Sequence, residues 1–273
     1  MGQRSKSCLT TSQTGLRIRN ATDVGRNYLL DRTGDRIEVS AILFDIGDTL
    51  VEASNISEVA LKRVTDDFYL RGLISNRRRF LAIYRNVDAN THGPRVNHLF
   101  SDIHIIRESL TRAGYSPSLS LSGQFLEEYR AVVRRQLRKD RKLISLFRRL
   151  KDEGFQLGIV TDGTTNEQME QLASLGLVQY VDVVVTSEEA GVEKPDPKIF
   201  KQALARLSVH DPSRALMVGD DISKDIVGAT NLGIRTALVG HSTGFVSTAG
   251  GRAPDLVLKS ALELPSHLSL LRE

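Results

Sequence analysis

Cysteine is nearly absent from this sequence. Cys8 stands alone in 273 residues, which excludes a disulfide framework within the chain and any zinc site built on several thiolates. A dominant sign of charge is also lacking. Lys+Arg 37 against Asp+Glu 33 leave a net +4, too balanced to mark a dedicated nucleic-acid or membrane-surface protein by charge alone. Aromatic residues make up 5% of the chain, too few for the stacking platforms that single strands require. No base-reading motif is present either, so sequence-specific nucleic-acid binding is not expected. No apolar run reaches the roughly 18 residues that a membrane span needs, and no apolar stretch near the start reads as a secretory signal. Repeats and low-complexity tracts are missing too. What remains is a chain with 40% apolar residues, enough to bury a core and to exclude wholesale disorder. Its length suits one large domain, or a core with a modest second lobe. The expectation is a soluble globular protein of a reducing, cytoplasmic compartment.

Residues 1–22 lack acids and carry Arg4, Lys6, Arg17 and Arg19 among serines and threonines. That composition resembles an organellar transit peptide and suits a disordered basic tail equally well. Residues 1–37 form a preface to the rest, and 28–39, around Arg32-Thr33-Gly34-Asp35, reads as a hairpin feeding the first strand.

Beyond the preface, short β-branched and aliphatic runs recur at 39–44, 157–161, 181–186, 215–218 and 235–239. Each precedes a loop rich in Asp, Gly or Thr. Their apolar residues are nearly continuous rather than alternating, as in strands covered on both faces. Amphipathic stretches lie between them at 144–152, 166–175, 197–207 and 222–232. This alternation predicts an α/β fold with a doubly wound parallel sheet, whose ligands bind beyond the carboxyl ends of the strands. Between 57 and 141 no strand-like run occurs. Helical periodicity at 58–70, 97–112 and 124–138, broken at 90–94 and 114–122, predicts an inserted helical lobe. The expected organisation is an N-terminal extension 1–37, a core from 38–56 and 142–273, and a helical lobe 57–141.

The polar clusters Asp45-Ile46-Gly47-Asp48-Thr49, Thr161-Asp162-Gly163 and Gly219-Asp220-Asp221 all fall at the predicted carboxyl edge. A carboxylate such as Asp45 at the end of a buried strand is costly unless something positive meets it. Taken alone it reads as a turn or capping residue. Asp220, Asp221 and Asp225 add a second concentration of negative charge. Carboxylates converging on one edge invite a hard cation, and Mg²⁺ is satisfied by one or two of them with waters and phosphate oxygens. Lys194 lies in Glu193-Lys194-Pro195-Asp196-Pro197, a stiff loop just before a helix. Lone lysines are usually solvated, but this one is placed to meet a phosphate. Thr161-Asp162-Gly163 offers a hydroxyl and backbone N–H groups, which serve either an ordinary tight turn or a phosphate cradle.

In this order the runs resemble the haloacid dehalogenase-like superfamily of phosphohydrolases. Leu43-Phe44-Asp45-Ile46-Gly47-Asp48-Thr49-Leu50 is similar to its first motif and Ile159-Val160-Thr161-Asp162-Gly163 to its second, where Asn is commoner than Asp162. Lys194-Pro195-Asp196-Pro197 with Ile199-Phe200 is similar to the third, and Val218-Gly219-Asp220-Asp221-Ile222-Ser223-Lys224-Asp225 to the fourth. The resemblance covers roughly 39–55 and 141–257. It implies a Rossmann-like core with an inserted α-helical cap domain. It also implies a small phosphorylated substrate, of sugar-phosphate or nucleotide class, and two-step phosphoryl transfer. Asp45 would attack phosphorus, and water would cleave the resulting aspartyl-phosphate. Mg²⁺ would be held by Asp45, Asp220 and the carbonyl of Gly47, with Asp221 and Asp225 in outer positions. Thr161 and the N–H groups of Asp162 and Gly163 would grip the non-bridging oxygens. Lys194 would neutralise charge on the phosphoryl group and on Asp45.

One departure qualifies this. Family phosphatases usually carry a second Asp two residues after the nucleophile as general acid and base, and here that place is Gly47. Such help is typically worth about 10² to 10⁴ in rate. Three readings follow. The substrate needs little protonation of its leaving group, as an anomeric or acyl phosphate would, with Asp48, a water or a substrate hydroxyl doing the remaining proton work. Alternatively the chain is a nearly inactive relative that binds phosphate ligands or a protein. Or it cleaves carbon–halogen or phosphorus–carbon bonds, which the acidic cluster and the scarcity of lysine in the lobe both disfavour.

The lobe is also strongly basic. Arg130, Arg134, Arg135, Arg138, Lys139, Arg141 and Lys142 crowd its last helix, and Arg77, Arg78 and Arg79 an earlier one. They read either as a solvated face or as an electrostatic funnel for a multiply anionic substrate. His92, His98 and His104 read as surface or packing residues, since no metal spacing pairs them.

Overall fold

The computed structural model describes residues 27–30, 36–92, 102–240 and 253–270. The chain enters through two short strands, β1 (Asn27–Leu30) and β2 (Arg36–Glu38), paired antiparallel. The expected hairpin is therefore present, although its turn, 31–35, lies outside the described residues. The central strand β3 (Ala41–Phe44) follows, and then the helices α1 (Ala53–Leu70), α2 (Arg77–His92), α3 (Ile103–Arg112) and α4 (Leu119–Gln136). Helix α5 (Arg141–Asp152) leads back to strand β4 (Gln156–Thr161), followed by α6 (Thr165–Leu175), β5 (Val183–Thr186), the short α7 (Ser187–Ala190) and α8 (Pro197–Arg206). Strand β6 (Ala215–Gly219), a π-turn at Ile222–Ile226, the short α9 (Val227–Thr230), β7 (Arg235–Val239), β8 (Leu256–Leu258) and β9 (Leu268–Leu270) complete the described chain.

Strands β3 to β8 form one parallel sheet in the order β5-β4-β3-β6-β7-β8. The chain moves outward from β3 to β5 and then crosses back to β6, so the winding reverses beside β3, and a crevice opens there beyond the strand ends. Period-2 pleating explains the continuous apolar runs. Ile42 and Phe44 face α5 and α6 with Phe147, Leu150 and Leu172, while Ala41 and Leu43 face α8 with Phe200 and Ala203.

Helices α1 to α4 bury their own stripe, with Leu61, Val64 and Phe68 at helical spacing against Phe80, Ile106, Phe125 and Tyr129. Phe125 contacts both Phe68 and Phe80. The stretch 114–122 reads as a break, yet α4 already begins at Leu119. The Ser118 hydroxyl accepts the N–H of Leu121 and caps the helix, and the buried Ser122 returns a hydrogen bond to the Ser118 carbonyl. The helical stretch expected at 222–232 is also corrected. Asp221 caps it at Ser223 and Lys224, and the N–H of Ile226 reaches back to the Asp221 carbonyl, which opens the first turn into a π form.

Strands β8 and β9 were not foreseen. β9 pairs antiparallel with β1, making a three-stranded sheet β2-β1-β9 that joins the two ends of the described chain. Leu29 is fully buried in the same cluster as Ile42 and Phe44, and such burial is worth about 1.5–3 kcal/mol. Among the described residues no helix is long and apolar enough to cross a membrane.

Candidate active site

The register aligns Phe44 with Ile159 on one side and Val218 on the other. Thr161 at the end of β4, Asp45 just after β3 and Asp220 just after β6 therefore stand side by side at one edge of the sheet. The Asp45 N–H still bonds the Val218 carbonyl at 3.0 Å, which fixes its side chain over the crevice. Asp45, Asp220 and Asp225 each present a carboxylate oxygen, all within 4.8 Å of one another. Asp225 reaches this group from the π-turn because Gly219 has no side chain. A Cβ on Gly219 would lie 2.3 Å from the Asp225 carboxylate.

Lys194 closes the group. Its ammonium, 5% exposed, donates to Asp45 Oδ1 and Asp225 Oδ1 at 2.6 Å each. Burial alone would depress its pKa, but Asp225, Asp45 and Asp162 outweigh burial and hold it well above the ordinary lysine range. Asp225 also accepts the Asp221 N–H on Oδ2. Asp45 Oδ2, in contrast, carries no hydrogen bond among the described residues, so one oxygen of a buried carboxylate faces the crevice beside a fixed cation. Asp220 accepts the Thr49 hydroxyl at 3.2 Å. Burial, then the nearby Asp45 and Asp48, push its carboxyl up to about 7. The acidic group is thus under-compensated by Lys194 alone, which is the electrostatic condition for holding a divalent cation.

The second cluster forms the opposite wall. Thr161, 3% exposed, donates its hydroxyl to Gln168 Oε1 at 3.2 Å, and Gln168 Nε2 bonds the Asp162 carbonyl. The Gly163 N–H donates to the Ser187 hydroxyl at 2.9 Å. Gly163 has φ +122, and a Cβ there would lie 2.6 Å from Gln168 Nε2, so only glycine fits the bend. Asp162 accepts the Lys194 N–H on Oδ1 at 2.9 Å and the Lys224 ammonium on Oδ2 at 2.8 Å.

Two of the candidate acids point elsewhere. Asp221 spends Oδ1 on the N–H groups of Ser223 and Lys224 and on the Ser223 hydroxyl. Asp48, at φ +52, accepts the Ser54 N–H and hydroxyl and so caps α1. Gly47 forms a β-bridge with Val51 that shapes this flap. Residues not singled out from sequence are Thr49, Gln168, Ser187 and Lys224. Thr49 and Lys224 stood inside the motif runs. Nothing in the sequence pairs Gln168 or Ser187 with their partners.

The basic run of the helical lobe divides. Arg130 and Arg134 reach Glu167 and Glu170 on α6 at 3.8 and 2.7 Å, tying α4 to the core. Arg77 pairs with Asp66. Arg138, Lys139, Arg141 and Lys142, with Lys259, line a recess of about 890 Å³ beside Thr49 and both chain crossings. His104 is exposed at the start of α3, while His98 and the His92 side chain lie outside the described residues.

Comparison with known proteins bears on the family of the chain. The family model for haloacid dehalogenase-like hydrolase matches residues 42–239. A glyceraldehyde 3-phosphate phosphatase from Methanothermobacter thermautotrophicus is 32% identical over 204 residues, 74% of this chain and 85% of that protein. A ribulose-1,5-bisphosphate 5-phosphatase from Halopiger xanaduensis is 31% identical over 207 residues, covering 73% and 84%. Among solved structures, a HAD phosphatase from Thermococcus onnurineus superposes with TM-score 0.57 at 27% identity, covering 84% of this chain and 97% of that one.

Proposed function

The chain belongs to the haloacid dehalogenase-like hydrolases and is a phosphatase of that family; on this premise we propose that it hydrolyses a small sugar-class phosphomonoester through Asp45. The observation that supports this reading is the free Oδ2 of a buried carboxylate whose other oxygen is held by the Lys194 ammonium. In the first step Asp45 Oδ2 forms a bond to phosphorus, the bond from phosphorus to the ester oxygen breaks, and that oxygen takes a proton. In the second, a water oxygen attacks the aspartyl-phosphate, loses its proton, and releases phosphate and the Asp45 carboxylate. Thr161 and the backbone N–H groups of Asp162 and Gly163 orient the non-bridging oxygens. For Gly163 this requires exchanging its bond to Ser187 for one to substrate. Lys194 balances the charge that gathers as anion meets anion.

The donor set fits Mg²⁺. Asp45 and Asp220 with the Gly47 carbonyl would hold it, and Asp225 and Asp221 would stand in outer positions. When bound, the ion supplies positive charge between an anionic nucleophile and an anionic ester. The cap is assigned to 57–141 and the core to 38–56 and 142–273, with α1 (Ala53–Leu70) crossing from core to cap and α2 to α4 lying within the cap. Because Gly47 offers no acid and Asp48 is clasped by Ser54, the leaving oxygen draws its proton from water or from a substrate hydroxyl. Activated leaving groups such as anomeric phosphates are therefore favoured.

The test is phosphate release from sugar 1-phosphates, sugar 6-phosphates, triose phosphates, nucleotides and an aryl phosphate, with Mg²⁺ and with EDTA. Mg²⁺-dependent turnover that disappears in Asp45→Asn, while the variant keeps its melting temperature, is the expected result. Substantial activity left in Asp45→Asn overturns the nucleophile.

A further inference from the structure

The Asp162 side chain joins the loop after β4, the Lys194 loop and the π-turn. Its Oδ1 accepts the Lys194 N–H, and its Oδ2 accepts the ammonium of Lys224. The Asp162 side chain is 11% exposed and that of Lys224 20%, so the carboxylate has little water to solvate it. Lys194 acts on Asp162 only through space, because its ammonium is in direct contact with Asp45 and Asp225, and the cation in contact with the Asp162 carboxylate is Lys224. Among the described residues the other acid within ion-pair distance of the Lys224 ammonium is Glu193, at 3.7 Å and 63% exposed, and Asp221 acts on Lys224 from farther away.

This geometry has a cost that needs an explanation. Asp162 contributes its backbone N–H to the wall that receives the substrate, so its carboxylate is an anion placed beside the seat of a dianion. A neutral amide at this position would avoid the repulsion. However, its NH₂ group would then confront the Lys224 ammonium, which only an acceptor can satisfy. The two residues are therefore matched, and each makes the other tolerable.

Resting on the phosphatase reading, we propose that Lys224 is a positioning residue. It cancels the charge of Asp162 and locks that side chain to the Lys194 main chain, which holds the phosphate-receiving wall and the Lys194 loop in one geometry. Lys224 does not touch the reacting atoms. Its loss leaves a desolvated carboxylate next to the incoming phosphate, which weakens substrate binding more than the chemical step. If Asp162 becomes Asn at the same time, the repulsion goes and Oδ1 still accepts the Lys194 N–H.

The experiment compares wild type, Lys224→Met, Lys224→Arg, Asp162→Asn and Lys224→Met/Asp162→Asn. Each is measured for kcat and KM on the best ester and for the dissociation constant of inorganic phosphate by calorimetry. Lys224→Met should lose about 10- to 100-fold in kcat/KM, which is about 1.4–2.7 kcal/mol, with most of the loss in KM. Phosphate affinity should fall in parallel. The double variant and Lys224→Arg should recover to within about threefold of wild type. Were Lys224→Met not to fold, Lys224→Gln, which keeps the stem, replaces it in the series. An unchanged phosphate affinity and KM in the lysine variant overturns the proposal, as does a double variant no better than the single. Wild type that turns over no ester but shows the same pattern in phosphate affinity overturns the phosphatase reading and leaves the paired role of Lys224 standing.

Discussion

Gly47→Asp should convert an enzyme that depends on its leaving group into one that does not. An added Cβ at Gly47 meets only the Ala53 Cβ, at 3.7 Å, an ordinary van der Waals contact. Gly47 is not among the glycines in the left-handed region, so the backbone accepts a side chain without strain. The new carboxyl would stand two residues from Asp45, next to Asp48, whose own carboxylate is occupied by Ser54. It would therefore be the one acid of the flap with its oxygens free to exchange a proton with substrate. General acid–base help is worth about 10² to 10⁴ in rate, or about 3–5 kcal/mol of barrier. Water or a substrate hydroxyl already recovers part of this in the wild type, so a gain of about 10- to 100-fold on alkyl phosphates is expected. Aryl phosphates, which leave without a proton, should change by less than about threefold. The assay is kcat/KM for a series of esters plotted against leaving-group pKa at saturating Mg²⁺. The wild type should give a steep slope and the variant a shallow one. Two parallel lines, from a variant with wild-type melting temperature and Mg²⁺ requirement, would refute the claim that a missing acid limits this enzyme.

Two further outcomes follow from the charges of the site. Lys194→Met removes the ammonium shared by Asp45 and Asp225, and breaking a buried pair in this way costs about 3–5 kcal/mol. The melting temperature in EDTA should drop sharply and Mg²⁺ should recover part of it but not turnover; no drop in EDTA would mean that Lys194 is not the counter-charge. Asp220 has its carboxyl pushed up to about 7 by burial first and by Asp45 and Asp48 next. The folded state thus holds this proton more tightly than the unfolded chain, and the associated stability is present below about pH 4 and lost as pH rises through about 7. In EDTA the melting temperature should therefore decline toward neutral and alkaline pH, and the stabilisation by Mg²⁺ should grow over the same range. Curves with and without Mg²⁺ that run parallel from pH 5 to 8 would contradict this.

Residue type at a strand end was legible in the sequence because the chemistry constrains it. A buried strand that stops at Asp45, Thr161 or Asp220 needs a reason for the polar atom, and the parallel register brings those reasons to one edge. Strands β3 to β7 and most of the helices followed from apolar periodicity for the same kind of reason, since burial on two faces leaves continuous runs. What could not be read were the partners that sequence separation conceals. Lys224 meets Asp162 across 62 positions, and β1 meets β9 across most of the chain. Neither pairing leaves a local signal.

Asp48 shows the limit most clearly. From its position beside the missing acid at Gly47 it was the natural candidate to move a proton, and its charge does reach Asp220. Yet its backbone sits at φ +52, a conformation that Asp tolerates because its side chain bonds nearby main-chain groups. Here that group is the Ser54 N–H in the first turn of α1, a turn that the Glu52 side chain leaves uncapped. The helix that opens the cap thus takes the carboxylate that the missing general acid would otherwise leave free. Asp48→Ala, which removes the acceptor of the Ser54 N–H, should accordingly lower the stability of α1 by about 0.5–2 kcal/mol while leaving the slope of the leaving-group plot unchanged. A change in that slope would return Asp48 to the chemistry and remove the argument that its bond to Ser54 is structural.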